Sequence, residues 1–376
     1  MIGQRCVDSP LSRRAAAASL AVALFSATPA IAGDFNDREN ILIADQFNNR
    51  VIEVERDSHK VVWQFGNGSD KPGPHSVVGT NDAERVGRFT LISGTGIPPS
   101  STTAPLPGCS DPVNGCPDNR VFIVNRAGGI VWQYGQSGGV AGFGFNQLNT
   151  PVHSLFLPEF PGHHGFHVMI SDQANQRVIV VNARHQIVWQ YGTTGVAGSG
   201  ADQLNNPNSA ELLENGHILI ADENNNRVIE VTLDKAIVAT FTDGGTVSGA
   251  AFASRLGNGD TLITDSNNNR IVEVDAADST VWEYLTNQDA ASNPAPLPTR
   301  AVRLKNGNTL ISDQFNNRVI EVTHDKQIAF QQGQLNVIGS GFDLLNGPYD
   351  AKAIGDYTGM TPPFVWDSDG LPGAFK

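Results

Sequence analysis

The sequence predicts an all-β fold: a six-bladed β-propeller of four-stranded antiparallel blades, closed by the C-terminal strand joining the first blade. Three observations predict it. The phrase ADQFNNRVIEV, from Ala44, returns in variant form until it is repeated almost letter for letter from Ser312, making six copies counting one degenerate one. A strand of the form IVWQYG follows most copies. The first copy lacks a leading strand, and the end of the chain carries a surplus one. The Arg shared by the copies falls at Arg50, Arg120, Arg177, Arg227, Arg270 and Arg318, at spacings of 43 to 70 residues. Such intervals suit propeller blades and are too long for short solenoid repeats.

Ahead of the repeats, Arg5, Arg13 and Arg14 precede the apolar run AAAASLAVALFSA, and Pro29-Ala30-Ile31-Ala32 closes it. A positive start, a short apolar centre and a small-x-small end read as a secretory signal over 1–32, cleaved after Ala32. SRR from Ser12 leaves twin-arginine and general export both open. The run is too short and alanine-rich to span a bilayer comfortably, so no membrane span is expected. Losing three Arg and one Asp with the leader takes the formal charge from −13 to about −15. Such a chain repels phosphate backbones, so nucleic acid is not expected as a partner. Cys109 and Cys116, close together in an exported chain, are expected to form a disulfide. The localisation that follows is periplasmic or secreted.

Within each copy the apolar run before the Asp, such as Ile41-Leu42-Ile43, reads as a buried strand. Gln46 to Asn49 form a turn, because Asn tolerates left-handed backbone angles. Arg50 to Val54 return, and Val61 to Gly66 add an outer strand. A further strand precedes each apolar run, best seen in PNSAELLENG and PTRAVRLKNG. Asp45 and Arg50 then lie opposite each other, a pair contributing about 0.2–1 kcal/mol. The same pairing is expected for Asp172, Asp222, Asp265 and Asp313 with their Arg; Gly94 replaces the Asp in the second copy, and the insertion 97–118 follows it. Trp63, Trp132, Trp189 and Trp282 share one repeat position, as do Glu53, Glu230, Glu273 and Glu321. Both sets are expected to join neighbouring blades, or for Glu to face water. GPYDAKAIGDY from Gly347 resembles the leading strands and should complete the first blade, removing the exposed edges of an open array.

The strand–Asp–turn–Asn–x–Arg phrases ADQFNNRV, ADENNNRV and TDSNNNRI resemble NHL-repeat β-propellers, as do the approaches GFGFNQLNTP, GSGADQLNNP and GSGFDLLNGP. The resemblance implies one propeller domain over 33–376. The pairing of NGNTLI with IVWQYG is also similar to arylsulfotransferase-like propellers. Enzymes of that kind use a channel His as nucleophile, which would be His153 or His75. Lactonase-like propellers hold a divalent metal in the central channel through Glu, Asn and Asp; Asn208 and Asp350 match two of those types.

The innermost strands should line a channel. Aligning the leading strands puts His75-Ser76, Val152-His153, Asn208-Ser209, Ala251-Phe252, Thr299-Arg300 and Tyr349-Asp350 at its mouth. These positions vary inside a repetitive frame, as a site requires. The ligand-binding candidates are therefore His75, His153, Asn208, Arg300 and Asp350. A His there could act as base or nucleophile, Arg300 could hold an anion, and Asp350 could orient a His or bind metal. HHGFH, from His163, is expected to be an exposed, solvated loop on the opposite face. The sequence reads as an exported module that binds a protein or small extracellular ligand through its loop-rich face. The alternative is a propeller enzyme of sulfotransferase, lactonase or lyase type acting at the channel mouth.

Overall fold

The computed structural model describes residues 34–356. The leader expected over 1–32, with its cleavage after Ala32, lies outside them, as does the part of the expected domain from residue 357 on. Among the described residues, twenty-four strands form six four-stranded antiparallel sheets around one axis. The inner strands are Pro348–Ala353, Thr80–Val86, Pro151–Leu157, Pro207–Leu212, Ala250–Arg255 and Arg300–Arg303, in blades one to six. The first blade is completed as expected: Pro348–Ala353 pairs with Ile41–Asp45, with Ala353 opposite Ile41 and Asp350 opposite Ala44.

Each blade is buried on both faces. Apolar clusters sit between neighbouring sheets, so runs such as ILIAD are buried at every residue rather than at alternate ones. Trp63, Trp132, Trp189 and Trp282 each donate their indole N–H to a backbone carbonyl of the following blade, at Arg126, Ala183, Leu233 and His324. Glu53, Glu230 and Glu273 pair with Arg85, Arg255 and Arg303 of the next blade's inner strand. Glu321, in the last blade, pairs with Arg56 of the first.

The recurring phrase is a joint with separable parts. Arg50 Nε and Asn48 Nδ2 both donate to Asp45 Oδ2, at 2.7 Å each. Asp45 Oδ1 accepts the Asn346 amide at 2.8 Å, in the loop leading to the same blade's inner strand. Asp172, Asp222 and Asp265 repeat that grip. The residue before the Arg is left-handed in every blade, with φ of 51° to 59°. Its side-chain oxygen accepts an amide from the next blade: Asn49 from Gly79, Asn119 from Thr150, Gln176 from Asn206, Asn226 from Gly249, Asn269 from Leu297 and Asn317 from Gly347. Asp, first Asn and Arg thus tie a blade to itself, while the second Asn ties it to its neighbour.

Blade two keeps this chemistry without the Asp. A Cβ at Gly94 would lie 2.6 Å from the Asp118 carboxyl group. Asp118 pairs with Arg120 and accepts the Val78 amide, delivering the missing carboxylate from the partner strand. The insertion is partly strand: Ile97 pairs with Cys116 and Gly96 with Pro117, extending the hairpin beneath the loop. Cys109 and Cys116 are disulfide-bonded, as expected.

Two placements differ from expectation. His75 is not at the channel; it stands exposed in a turn before the inner strand, and Asn81-Asp82 occupy the positions assigned to His75-Ser76. Pro74-His75-Ser76 is spelled like Pro207-Asn208-Ser209, but Gly79 intervenes in the left-handed region, where any Cβ would clash with Gly96 O at 2.3 Å. In HHGFH, His163 and His164 are exposed, whereas His167 is buried as the first residue of strand His167–Asp172.

Candidate functional site

A bulge in the inner strands fixes what faces the axis. In five blades the inner strand slips by one residue against its neighbour, at Asn81, Val152, Asn208, Ala251 and Tyr349. The residues after the bulge are Asp82, His153, Ser209, Phe252 and Asp350, with Arg300 in the sixth blade. All are buried.

They close the middle of the channel with charge. Arg300 bridges Asp82 and Asp350 at 2.7 and 2.8 Å, and Lys352 Nζ bridges the same two carboxylates at 2.8 and 2.7 Å. Asp82 also accepts the Ser154 amide, and Asp350 the Ala83 amide. The Arg300 guanidinium lies 4.0 Å from the centroid of Phe252, a cation–π contact. His153 packs edge-on against Phe252, and burial, then Arg300 and Lys352, hold its imidazole well below the usual range, hence neutral. Blades one, two, three, five and six thus meet at the axis. The candidates His153, Arg300 and Asp350 come together, but Arg300 and Asp350 are engaged with each other. Among the described residues no three His, Cys, Asp or Glu side chains form a metal-holding group. Asp82 and Asp350 already face two cations, so the residues do not fit a divalent metal in the channel.

Glu84 lies beside this network, with Oε2 accepting the Phe156 amide. Burial pushes its carboxyl up to about 8, against the pull of Lys352 and with a small push from Asp82 and Asp350. A carboxyl raised on folding favours the native state most below its unfolded value near 4.5; that support is lost as pH rises toward 8. Glu84→Gln should therefore flatten the fall in thermal stability between pH 5 and pH 9 relative to the parent. Parallel Tm-versus-pH profiles would contradict it.

Above the network, on the face carrying the Asp–turn–Asn loops, the channel opens into a pocket of about 490 Å³. Asn208 Nδ2 donates to Glu223 Oε2 at 2.9 Å and to the Tyr349 hydroxyl at 3.1 Å. Gln173 Nε2 donates to the same Glu223 oxygen at 3.0 Å. On the other side Gln314 donates to Gln46, which donates to Asn81. Burial pushes the Glu223 carboxyl upward, and burial with the nearby Glu223 charge pushes the Tyr349 phenol up, keeping it a neutral donor. Ile97, Pro98 and Pro99 of the insertion form one wall.

No protein-family model matches the chain, and no curated protein matches it. Solved structures do. A protein of unknown function from Bacteroides caccae is 13% identical with a TM-score of 0.52, over 82% of this chain and 98% of its own. Virginiamycin B lyase from Staphylococcus aureus is 14% identical with a TM-score of 0.44, over 71% of this chain and 78% of its own. A functionally unknown protein from Desulfotomaculum acetoxidans is 10% identical with a TM-score of 0.44, over 82% and 84%. At such identities the likeness is one of fold.

Of the sequence candidates, Asn208 lines this upper polar ring, and Tyr349 stands beside it at the bulge. Gln46, Gln173, Glu223 and Gln314 were legible only as turn residues. They all follow the repeated Asp, and the signal was variation: Gln, Gln, Glu, Ser and Gln stand there between an unchanging Asp and Arg.

Proposed function

We propose that this chain is an exported, NHL-like propeller that binds a small uncharged ligand bearing hydroxyl or amide groups in the pocket at its channel mouth. The observation that supports this is the convergence of Gln46, Asn81, Gln173, Glu223 and Tyr349 around one opening, the last two held by Asn208, over a floor sealed by paired charges. Amide side chains both donate and accept, matching groups that do the same. A ring of such side chains on rigid turns is the usual chemistry of small-ligand specificity. Glu223 is the carboxyl member of the ring; should the ligand also be turned over, the proton would move through Glu223 rather than through sealed His153 or distant His75.

The rival location is the outer rim, where Phe145 and Phe342 are 74% and 70% exposed. Titration calorimetry against neutral methyl glycosides and acetylated amino-acid amides separates the two. Asn208→Ala and Gln173→Ala are expected to weaken the best-bound member at least tenfold, while Phe145→Ser with Phe342→Ser leaves it unchanged. The opposite pattern, or no binding by the whole panel, would overturn the proposal.

A further inference from the structure

Beside the polar pocket lies a second recess of about 520 Å³, and the two share Gln46 and Pro98 on their walls. Its lining is built from departures from the repeat. The second turn residue is Phe47 in blade one and Phe315 in blade six, but Ala174, Asn224 and Asn267 in blades three, four and five. Those two rings are half-buried, 6.3 Å apart and inclined by only 23°. Blade two alone carries the long disulfide-held loop, and this loop supplies Leu106 and Pro107 to the same recess. Ile338, from the approach to the first blade's inner strand, is 62% exposed at its edge. Two blades and one insertion therefore break pattern at a single place, and each break adds an apolar group.

We propose that pocket and recess form one bipartite site for a neutral ligand that joins a hydroxyl-bearing ring to a flat aromatic group, an aryl glycoside in chemical class. This rests on the reading of the polar pocket given above. Three observations select that class. Among the described residues no Lys, Arg or His lines either recess, so a buried anion would find no cationic partner in those walls. The polar side holds amides, a phenol and one carboxyl, which suit hydroxyl groups that donate and accept at once. The apolar side offers flat Phe and Pro surfaces, against which an aromatic ring packs with favourable offset or edge geometry. At about 490 and 520 Å³, each compartment falls within the range of small-ligand pockets and has room for a ring system.

The test compares methyl and phenyl glycosides of the same neutral sugars by titration calorimetry on the full chain. The phenyl compound is expected to bind at least tenfold more tightly than its methyl counterpart. Phe315→Ser should erase that advantage and leave methyl glycoside affinity unchanged. Ile338→Asn, at an exposed position that does not threaten folding, should reduce the advantage as well. Equal binding of methyl and phenyl compounds, or an advantage surviving both substitutions, would overturn the bipartite site while leaving the polar pocket standing. Failure of every glycoside to bind would overturn this proposal, and amide binding in the earlier panel would then show the pocket reading still intact.

Discussion

A chain ending at Asn346 is expected to lose cooperative folding altogether. Its missing segment includes Pro348–Ala353, the inner strand of blade one, so Ile41–Asp45 would be left with an unpaired edge. Ala351 and Ala353 would leave the apolar cluster that blade one forms with blade six. Asn317 would lose the Gly347 amide, its link across the last blade boundary. Asp350 and Lys352 would go too, so that Arg300 loses Asp350 and Asp82 loses Lys352, each keeping the other as a charged partner at the axis. Losing one partner of a buried pair alone costs about 3–5 kcal/mol, and whole domains hold only about 5–15. Urea and thermal denaturation against a control chain ending at Asp356 would measure it. A truncate melting within a few degrees of that control would refute the account of closure.

The second large effect is expected at Lys352. Its ammonium meets Asp82, Asp350 and the Ala83 carbonyl, and it is 8% exposed. Lys352→Met preserves most of the volume and removes the charge. Two buried carboxylates would then share Arg300 alone, at a cost of roughly 3–5 kcal/mol. Changing Asp350 to Asn in the same chain should recover part of the loss, because the surplus negative charge is gone. A double mutant no more stable than Lys352→Met would show that the lysine acts through packing instead.

The fold was legible because its instructions recur. The Asp–Arg pairing and the Trp ladder are each visible as a letter returning at one position, and the final strand as a surplus copy; the Glu set returned too, but its Arg partners did not show. The inner strand of blade two was not legible. TNDAERV, from Thr80, has apolar residues only at Ala83 and Val86, and its Asp82, Glu84 and Arg85 are buried by partners elsewhere in the ring. Local pattern describes a strand against its own neighbours; it does not report a charge neutralised across an axis. The same limit applies to the channel. Aligning the strands located His153, Arg300 and Asp350, but Lys352, two residues beyond Asp350 on the same strand, turns them from an open cluster into a seal. The pocket lies one layer higher, on turn residues whose structural duties masked their variability.

The head-to-tail joint carries a consequence for the chain's path. It lies inside blade one, where Ala353 stands opposite Ile41 in an ordinary antiparallel pairing, while the boundary with blade six carries the same contact as the others, Asn317 holding Gly347 as Asn49 holds Gly79. Ile354 donates to the Asn40 carbonyl at 2.8 Å, which sets the two ends of the described polypeptide side by side. Over residues 34–356 the fold is in effect a circle with one cut. Physical chemistry does not privilege that location, and a covalent link between those two described ends, with a new opening in a loop between blades, preserves all six sheets.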